Sequence, residues 1–284
     1  MAIGAGLVAA VLVAALVSLV GAWRPVGATE TAGPATTGLE YLPGRAADVY
    51  LPRGARAAPV VVLVPGGAWR TADRGGLTPL ARALAASGVV AVNATYRAAA
   101  AGGRHLQMAG DVVCAADFGV DRARRAGVVP GPVVVLGHSA GAHLAALAAL
   151  APQRFRVGCP YPAARIDGLV GLAGAYDVSR LPELAEPLFG AGAEEAPARW
   201  RDGNPLTWAG AMDARAGAIR ALLVHGTRDT ALPTSFTTGF ASALTAAGIP
   251  TTVELVDGQG HGGIYAAPVA GPIVTRWMLT TFGA

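Results

Sequence analysis

Ser139 stands in Gly137-His138-Ser139-Ala140-Gly141, directly after the apolar run Val133-Val134-Val135-Leu136 and directly before an Ala/Leu-rich stretch, 143–150. A serine between a buried strand and a buried helix, with glycine two residues to either side, has the pattern of a nucleophile elbow. The turn is strained, and larger side chains at 137 and 141 would meet the neighbouring backbone. Such a turn lifts the hydroxyl above the sheet and aims the first helical N–H groups, that of Ala140 foremost, at developing negative charge. In a chain with 39 glycines the pentapeptide alone is weak, and the strand and helix around it supply the context.

A serine hydroxyl is a poor nucleophile at neutral pH, so it needs a base to take its proton and a carboxylate to orient that base. Of the five histidines, His138 and His143 belong to the elbow and its helix, His105 lies near a helix start, and His225 ends a strand candidate whose turn should enclose it. His261 is the candidate base: it sits in Asp257-Gly258-Gln259-Gly260-His261-Gly262-Gly263, a loop with no packing role of its own. Asp229 is the candidate acid, in the turn after Ala221-Leu222-Leu223-Val224-His225-Gly226 and ahead of Pro233. Asp177 is the alternative acid, and Asp257 reads as a turn residue. The second oxyanion donor is expected from the loop after the strand ending at Val64, where Gly67 and Ala68 bring backbone N–H groups close with little side-chain bulk. Trp69 either walls an acyl pocket or is a core tryptophan beneath a cap.

These residues require elements to hold them. Apolar runs at 59–64, 89–92 and 133–136 read as buried strands, 168–172, 221–224 and 251–256 are three more strand candidates, and an early edge strand falls at 47–52. Helical spacing falls between them at 76–87, 106–126, 236–247 and 264–282. Strands alternating with helices predict an α/β fold with a doubly wound, mostly parallel sheet. The segment 176–217 is longer than a simple crossover needs and carries Pro182, Pro187, Pro197, Pro205, Trp200 and Trp208. It reads as a small helical cap, with an ordinary long crossover helix as the alternative.

Composition bounds the rest. At 284 residues, 53% of them hydrophobic, the chain suffices for one large domain. Only 14% of residues are charged, and the net charge of +4 is scattered, densest at Arg122, Arg124 and Arg125, which gives no case for a nucleic-acid partner. Every basic side chain except histidine is arginine. Without lysine there is no Schiff base, no Walker-type lysine and no Ser–Lys pair. Residues 2–23 hold no charge, long enough to cross a bilayer at about 20 residues per span, and are read as a signal peptide or a membrane anchor. Residues 24–40 follow as a flexible linker and 41–284 as the catalytic domain. The protein is expected to be exported, secreted or anchored outside the cytoplasm. In that setting Cys114 and Cys159 form a disulfide, whereas in the cytoplasm they would be two buried thiols. Their spacing implies no metal, and no cofactor is expected.

Pro65-Gly66-Gly67-Ala68-Trp69, Gly137-His138-Ser139-Ala140-Gly141, Asp229 and His261, in this order, resemble the motif set of the α/β-hydrolase esterases and lipases whose oxyanion loop reads His-Gly-Gly-X-Trp. Carboxylesterases, feruloyl and acetylxylan esterases and arylformamidases are among them. The resemblance covers nearly the whole chain from about residue 41 and implies an α/β-hydrolase fold. It also implies a Ser139–His261–Asp229 triad, an oxyanion hole at Gly67, Ala68 and Ala140, and a small-molecule ester of small or medium acyl chain as substrate. Pro65 departs from the pattern, standing where the family has histidine, so the loop must be held by other means. Tyr96-Arg97 and Asp111 resemble family positions that pair across the sheet edge. Two rival readings share these residues: an amide, formamide or peptide hydrolase on the same triad, and a catalytically silent protein that keeps the fold for binding.

Overall fold

The computed structural model describes residues 33–211 and 219–283. The apolar stretch 2–23, and residues 212–217 of the expected cap, lie outside them. Among the described residues no helix is long and apolar enough to cross a membrane.

Eight strands form one sheet: β1 (Ala35–Leu42), β2 (Arg45–Tyr50), β3 (Ala57–Val64), β4 (Val90–Ala94), β5 (Val129–His138), β6 (Gly168–Leu172), β7 (Arg220–Gly226) and β8 (Thr251–Val256). Their spatial order is β1-β2-β4-β3-β5-β6-β7-β8, with β1 and β2 antiparallel and the strands from β4 to β8 parallel. The linker expected at 24–40 ends too late, because β1 already begins at Ala35. That strand lies at the sheet edge with its first four residues exposed, so it carries no apolar alternation to betray it. The strand read near 47–52 is β2, and it is not an edge, since β1 covers it.

Alternation along the central strands splits the core between two faces. Val60, Val62 and Val64 of β3 and Val133 and Val135 of β5 pack into one cluster, and Val61, Leu63, Val134 and Leu136 into the other. The second face is covered by α1 (Thr78–Ala86) and α9 (Ala267–Phe282). The first is covered by α2 (His105–Arg125), α3 (Ala140–Leu150) and α8 (Ser235–Ala246), with the short α4 (Pro152–Phe155) beside them. Helix α3 is buried along its entire length, so alanine dominates it: larger residues on every side would not fit between sheet and neighbours. Cys114 of α2 is bonded to Cys159 in the loop beyond α4. At the sheet edge the Arg97 N–H donates to Asp111 Oδ2 over 2.7 Å, and Arg45 Nε lies 3.4 Å from the same oxygen.

Between β6 and β7 the described part of the insertion folds as three short helices, α5 (Pro182–Phe189), α6 (Pro197–Asp202) and α7 (Pro205–Ala209), each starting on proline. Leu188, Phe189, Trp200 and Ala209 join the core cluster on the α2/α3 side.

Candidate active site

The parallel strands β3 and β5 run in register, Val64 opposite Gly137, so the loops after them emerge side by side at their carboxyl ends. Ser139 links β5 to α3 with φ 54° and ψ −121°, a conformation that costs about 1–3 kcal/mol in a residue with a side chain. Its N–H is tied to Leu172 O of β6 at 2.9 Å. The two flanking glycines are dictated by space. A Cβ at Gly137 would run into the Gly141 carbonyl, and one at Gly141 into the carbonyls of Val64 and Pro65.

The structure brings Ser139, His261 and Asp229 together from three separate loops. His261 Nε2 lies 2.9 Å from Ser139 Oγ, and His261 Nδ1 lies 2.7 Å from Asp229 Oδ2. The Asp229 carboxylate is completely enclosed, and its other oxygen accepts the backbone N–H groups of Ala231 (2.8 Å) and Leu232 (2.9 Å). Burial pushes this carboxyl up, but the bonds from Leu232, His261 and Ala231 outweigh it and leave the group below its ordinary range. It is therefore an acceptor toward His261 Nδ1–H, which leaves Nε2 unprotonated and able to accept the Ser139 hydroxyl.

Two further histidines support this arrangement. His225, fully buried, presents Nε2 to both Leu232 O (2.9 Å) and Asp229 Oδ2 (3.1 Å), while Nδ1 faces Thr237 Oγ1 at 2.7 Å. The turn does enclose it, and the enclosure also fixes the acid. His138 donates from Nε2 to the His261 carbonyl over 2.9 Å, tying the base loop to the elbow. Burial, with the neighbouring His261, lowers His138 to about 4, so it stays neutral and keeps its donor role. Neither contact was legible in sequence, because each reaches a backbone carbonyl, His261 O or Leu232 O, that leaves no local pattern.

The rival acids are engaged elsewhere. Asp177 accepts from Ser179 N–H and Oγ–H and from Asn204 Nδ2–H, capping a short turn, and Asp257 accepts from Thr227 Oγ1–H. His105 is bonded instead to Asp202 at the end of α6, 3.0 Å away.

The loop after β3 is the second strained segment. Gly67 has φ 125°, Ala68 φ 48° and Trp69 φ 59°. A Cβ at Gly67 would press on Thr71 O and Oγ1 at 2.5 Å. Among the described residues no backbone or side-chain acceptor takes the N–H groups of Ala68 or Ala140, and both residues line the cavity that Ser139 and His261 face. That cavity has a volume of about 340 Å³. Beside Ser139, His261 and His138, the side chains of its walls are apolar: Trp69, Ala175, Leu184 of the insertion, Ala231 and Leu232. Trp69 is thus both of the things expected, a cavity wall and a core residue only 1% exposed. With Pro65 unable to hold the loop by side-chain bonds, other groups do so: Ala99 N–H donates to Trp69 O (2.8 Å), Tyr96 OH to Thr71 O (3.1 Å), and Trp69 Nε1–H to His143 Nδ1 (3.2 Å).

The BD-FAE family profile matches residues 47–244, well over half of the chain. The chain belongs to the BD-FAE family. The matched span holds Ser139 and Asp229 and ends before His261. Among curated proteins this BD-FAE chain is 28% identical over 230 residues to the "Probable isoprenylcysteine alpha-carbonyl methylesterase ICME" of Oryza sativa subsp. japonica, covering 77% of this chain and 55% of that one. It is 30% identical over 199 residues to the "Probable carboxylic ester hydrolase LipM" of Mycobacterium tuberculosis, covering 66% and 45%. The chain thus spans about half the length of the curated relatives it matches. Among solved structures, a truncated carbohydrate esterase from gut microbiota superposes with TM-score 0.78 at 19% identity, covering 89% of this chain and 98% of that one. A propionate-bound esterase of Thermogutta terrifontis gives 0.67 at 21%, covering 88% and 94%. The fold is that of an α/β-hydrolase.

Proposed function

We propose that this protein hydrolyses carboxylic esters of small or medium acyl chain through an acyl-serine intermediate. The observation that carries the reading is the unbroken line Asp229–His261–Ser139, at 2.7 and 2.9 Å, opening on an apolar cavity whose edge holds the unclaimed N–H groups of Ala68 and Ala140. Ser139 attacks the ester carbonyl while His261 takes its proton. Ala140 and Ala68, with Gly67 beside it, donate to the oxyanion, and His261 returns the proton to the departing alkoxide. Water then repeats the sequence on the acyl-enzyme. The volume of about 340 Å³ is filled by a short acyl chain with its alcohol, and Leu184 closes one side, which favours small and medium acyl groups. The names of the mycobacterial and rice relatives support the ester class.

The disulfide between the only two cysteines supports a working place in an oxidising compartment, consistent with export of the chain.

Steady-state hydrolysis of p-nitrophenyl esters from acetyl to palmitoyl by the full chain, with Ser139→Ala beside it, tests the proposal. Turnover of acetyl to hexanoyl esters, absent in Ser139→Ala, is expected. Turnover of N-formyl amides in preference to every ester would replace the ester reading with the amidase one, and a folded protein inert to both would favour a binding role.

A further inference from the structure

Ala68 and Trp69 are consecutive non-glycine residues in the left-handed region, and a conformation of that kind persists only where surrounding contacts over-determine it. Much of that constraint passes through one side chain. His143, four residues beyond Ser139 on the first turns of α3, is fully buried and has both ring nitrogens engaged. The Trp69 indole can only donate, so His143 Nδ1 must be the acceptor at 3.2 Å, and the ring proton must sit on Nε2, which donates to Gly203 O at 2.7 Å. The two rings meet edge to face, 5.2 Å between centroids. Gly203 is itself a fixed point: its neighbour Asp202 is gripped by Arg154 at 2.9 and 3.1 Å and by His105 at 3.0 Å. Burial lowers His143 to about 3, so the acceptor on Nδ1 survives at any working pH.

We propose that His143 is a positioning residue for the oxyanion hole, holding the strained loop Gly67–Trp69 through the Trp69 indole and anchoring it to the insertion at Gly203. This rests on the hydrolase reading above. It makes the insertion part of the machinery: the segment that supplies Leu184 to the cavity also sets, through Gly203 and His143, where the Ala68 N–H points.

The test compares His143→Leu, which removes both bonds, with His143→Asn, whose amide oxygen occupies the Nδ1 position and still accepts from Trp69, and with Trp69→Phe, which removes the donor and trims one side of the cavity wall. Ser139 sites are counted by fluorophosphonate labelling, so that rates refer to folded, competent molecules. Expected for His143→Leu is a fall in kcat per labelled site approaching the ~10²-fold typical of a lost oxyanion donor, with KM changed less than about threefold. A trifluoromethyl ketone should bind more weakly by the same factor as kcat/KM falls, with an unchanged acid limb in the pH profile. Trp69→Phe should share the loss, and His143→Asn should recover part of it. Wild-type kcat per labelled site in both His143→Leu and Trp69→Phe, with only a lowered Tm, would overturn the proposal. Labelling of the wild type without ester turnover would instead remove the ester reading, and the labelling rates of the same variants would then decide on His143.

Discussion

Replacing Asp229 by asparagine turns one carboxylate oxygen into an NH2 group, and the structure dictates which one. Oδ1 accepts two backbone N–H groups, from Ala231 at 2.8 Å and Leu232 at 2.9 Å, and only the amide oxygen can replace it. The NH2 must therefore take the place of Oδ2, 2.7 Å from His261 Nδ1 and 3.1 Å from His225 Nε2. His225 is held as an Nε2 donor by Leu232 O and meets the new NH2 donor to donor. His261 escapes the same conflict by moving its proton from Nδ1 to Nε2. That tautomer points N–H at Ser139 Oγ, 2.9 Å away, and has no lone pair left to take the serine proton. Wrong-tautomer losses of this kind run about 10⁴-fold in kcat, which is about 5.4 kcal/mol at 1.36 kcal/mol per tenfold. The assay is kcat on p-nitrophenyl acetate per fluorophosphonate-labelled site, with KM and the far-UV spectrum followed to show an intact fold. Asp177→Asn serves as the control and should retain wild-type kcat, because Asp177 bonds only to Ser179 of its own turn and to Asn204, not to His261. An Asp229→Asn variant within tenfold of wild type, or an Asp177→Asn variant crippled by 10³-fold or more, would refute the proposed role of Asp229.

Three further outcomes follow from the same contacts. His143 and His138 are neutral in the fold down to about 3 and about 4, whereas the unfolded chain protonates them near 6.5, so the unfolded state binds more protons as pH falls below 6.5 and stability drops. Each costs about 1.4 kcal/mol per pH unit in that window, so urea melts at pH 5 should show about 4 kcal/mol less from this pair than melts at pH 7.5; a flat profile would mean that neither is buried neutral. Gly141→Ala sets a Cβ against the backbone carbonyls of Val64 and Pro65, and should lower Tm by 10 °C or more or prevent folding, as read by differential scanning fluorimetry. Reducing the Cys114–Cys159 bond, which closes a loop of 45 residues' separation, should lower unfolding free energy by about 4 kcal/mol on a chain-entropy estimate, checked by melts with and without dithiothreitol.

What was legible in the sequence was whatever leaves a local pattern. The buried runs reappear as β3 to β7 because strands buried on both faces are apolar throughout; 168–172 and 251–256 match to the residue, although β8 is a partly exposed edge strand carrying Thr and Glu. Ser139, Asp229 and His261 were legible because each stands past the end of a strand: Ser139 between two glycines that only a tight elbow explains, Asp229 in a turn, and His261 in a glycine-rich loop with no packing role of its own. The misses are of two kinds. The first half of β1, Ala35–Gly38, is an exposed edge stretch of Ala, Thr and Gly, indistinguishable by composition from a tether, and its pairing with β2 comes from a partner rather than from its own residues. The contacts of His138, His143 and His225 join positions 123, 60 and 7 apart in the chain, and a backbone carbonyl such as His261 O, Gly203 O or Leu232 O leaves no mark in the sequence at all. The interruption of the alternation at 176–217 announced an insertion. Its anchoring through Asp202 and Gly203 depends on which helices it lies against, which only the folded chain specifies.

The most direct measurement is intact-mass and peptide mapping of the full chain after fluorophosphonate treatment, run in parallel with p-nitrophenyl ester hydrolysis. One adduct per chain, on Ser139, with hydrolysis lost in proportion to labelling and absent in Ser139→Ala, is the result expected. Hydrolysis that persists undiminished in Ser139→Ala, or in chains fully labelled at Ser139, would contradict the central claim that this serine is the nucleophile.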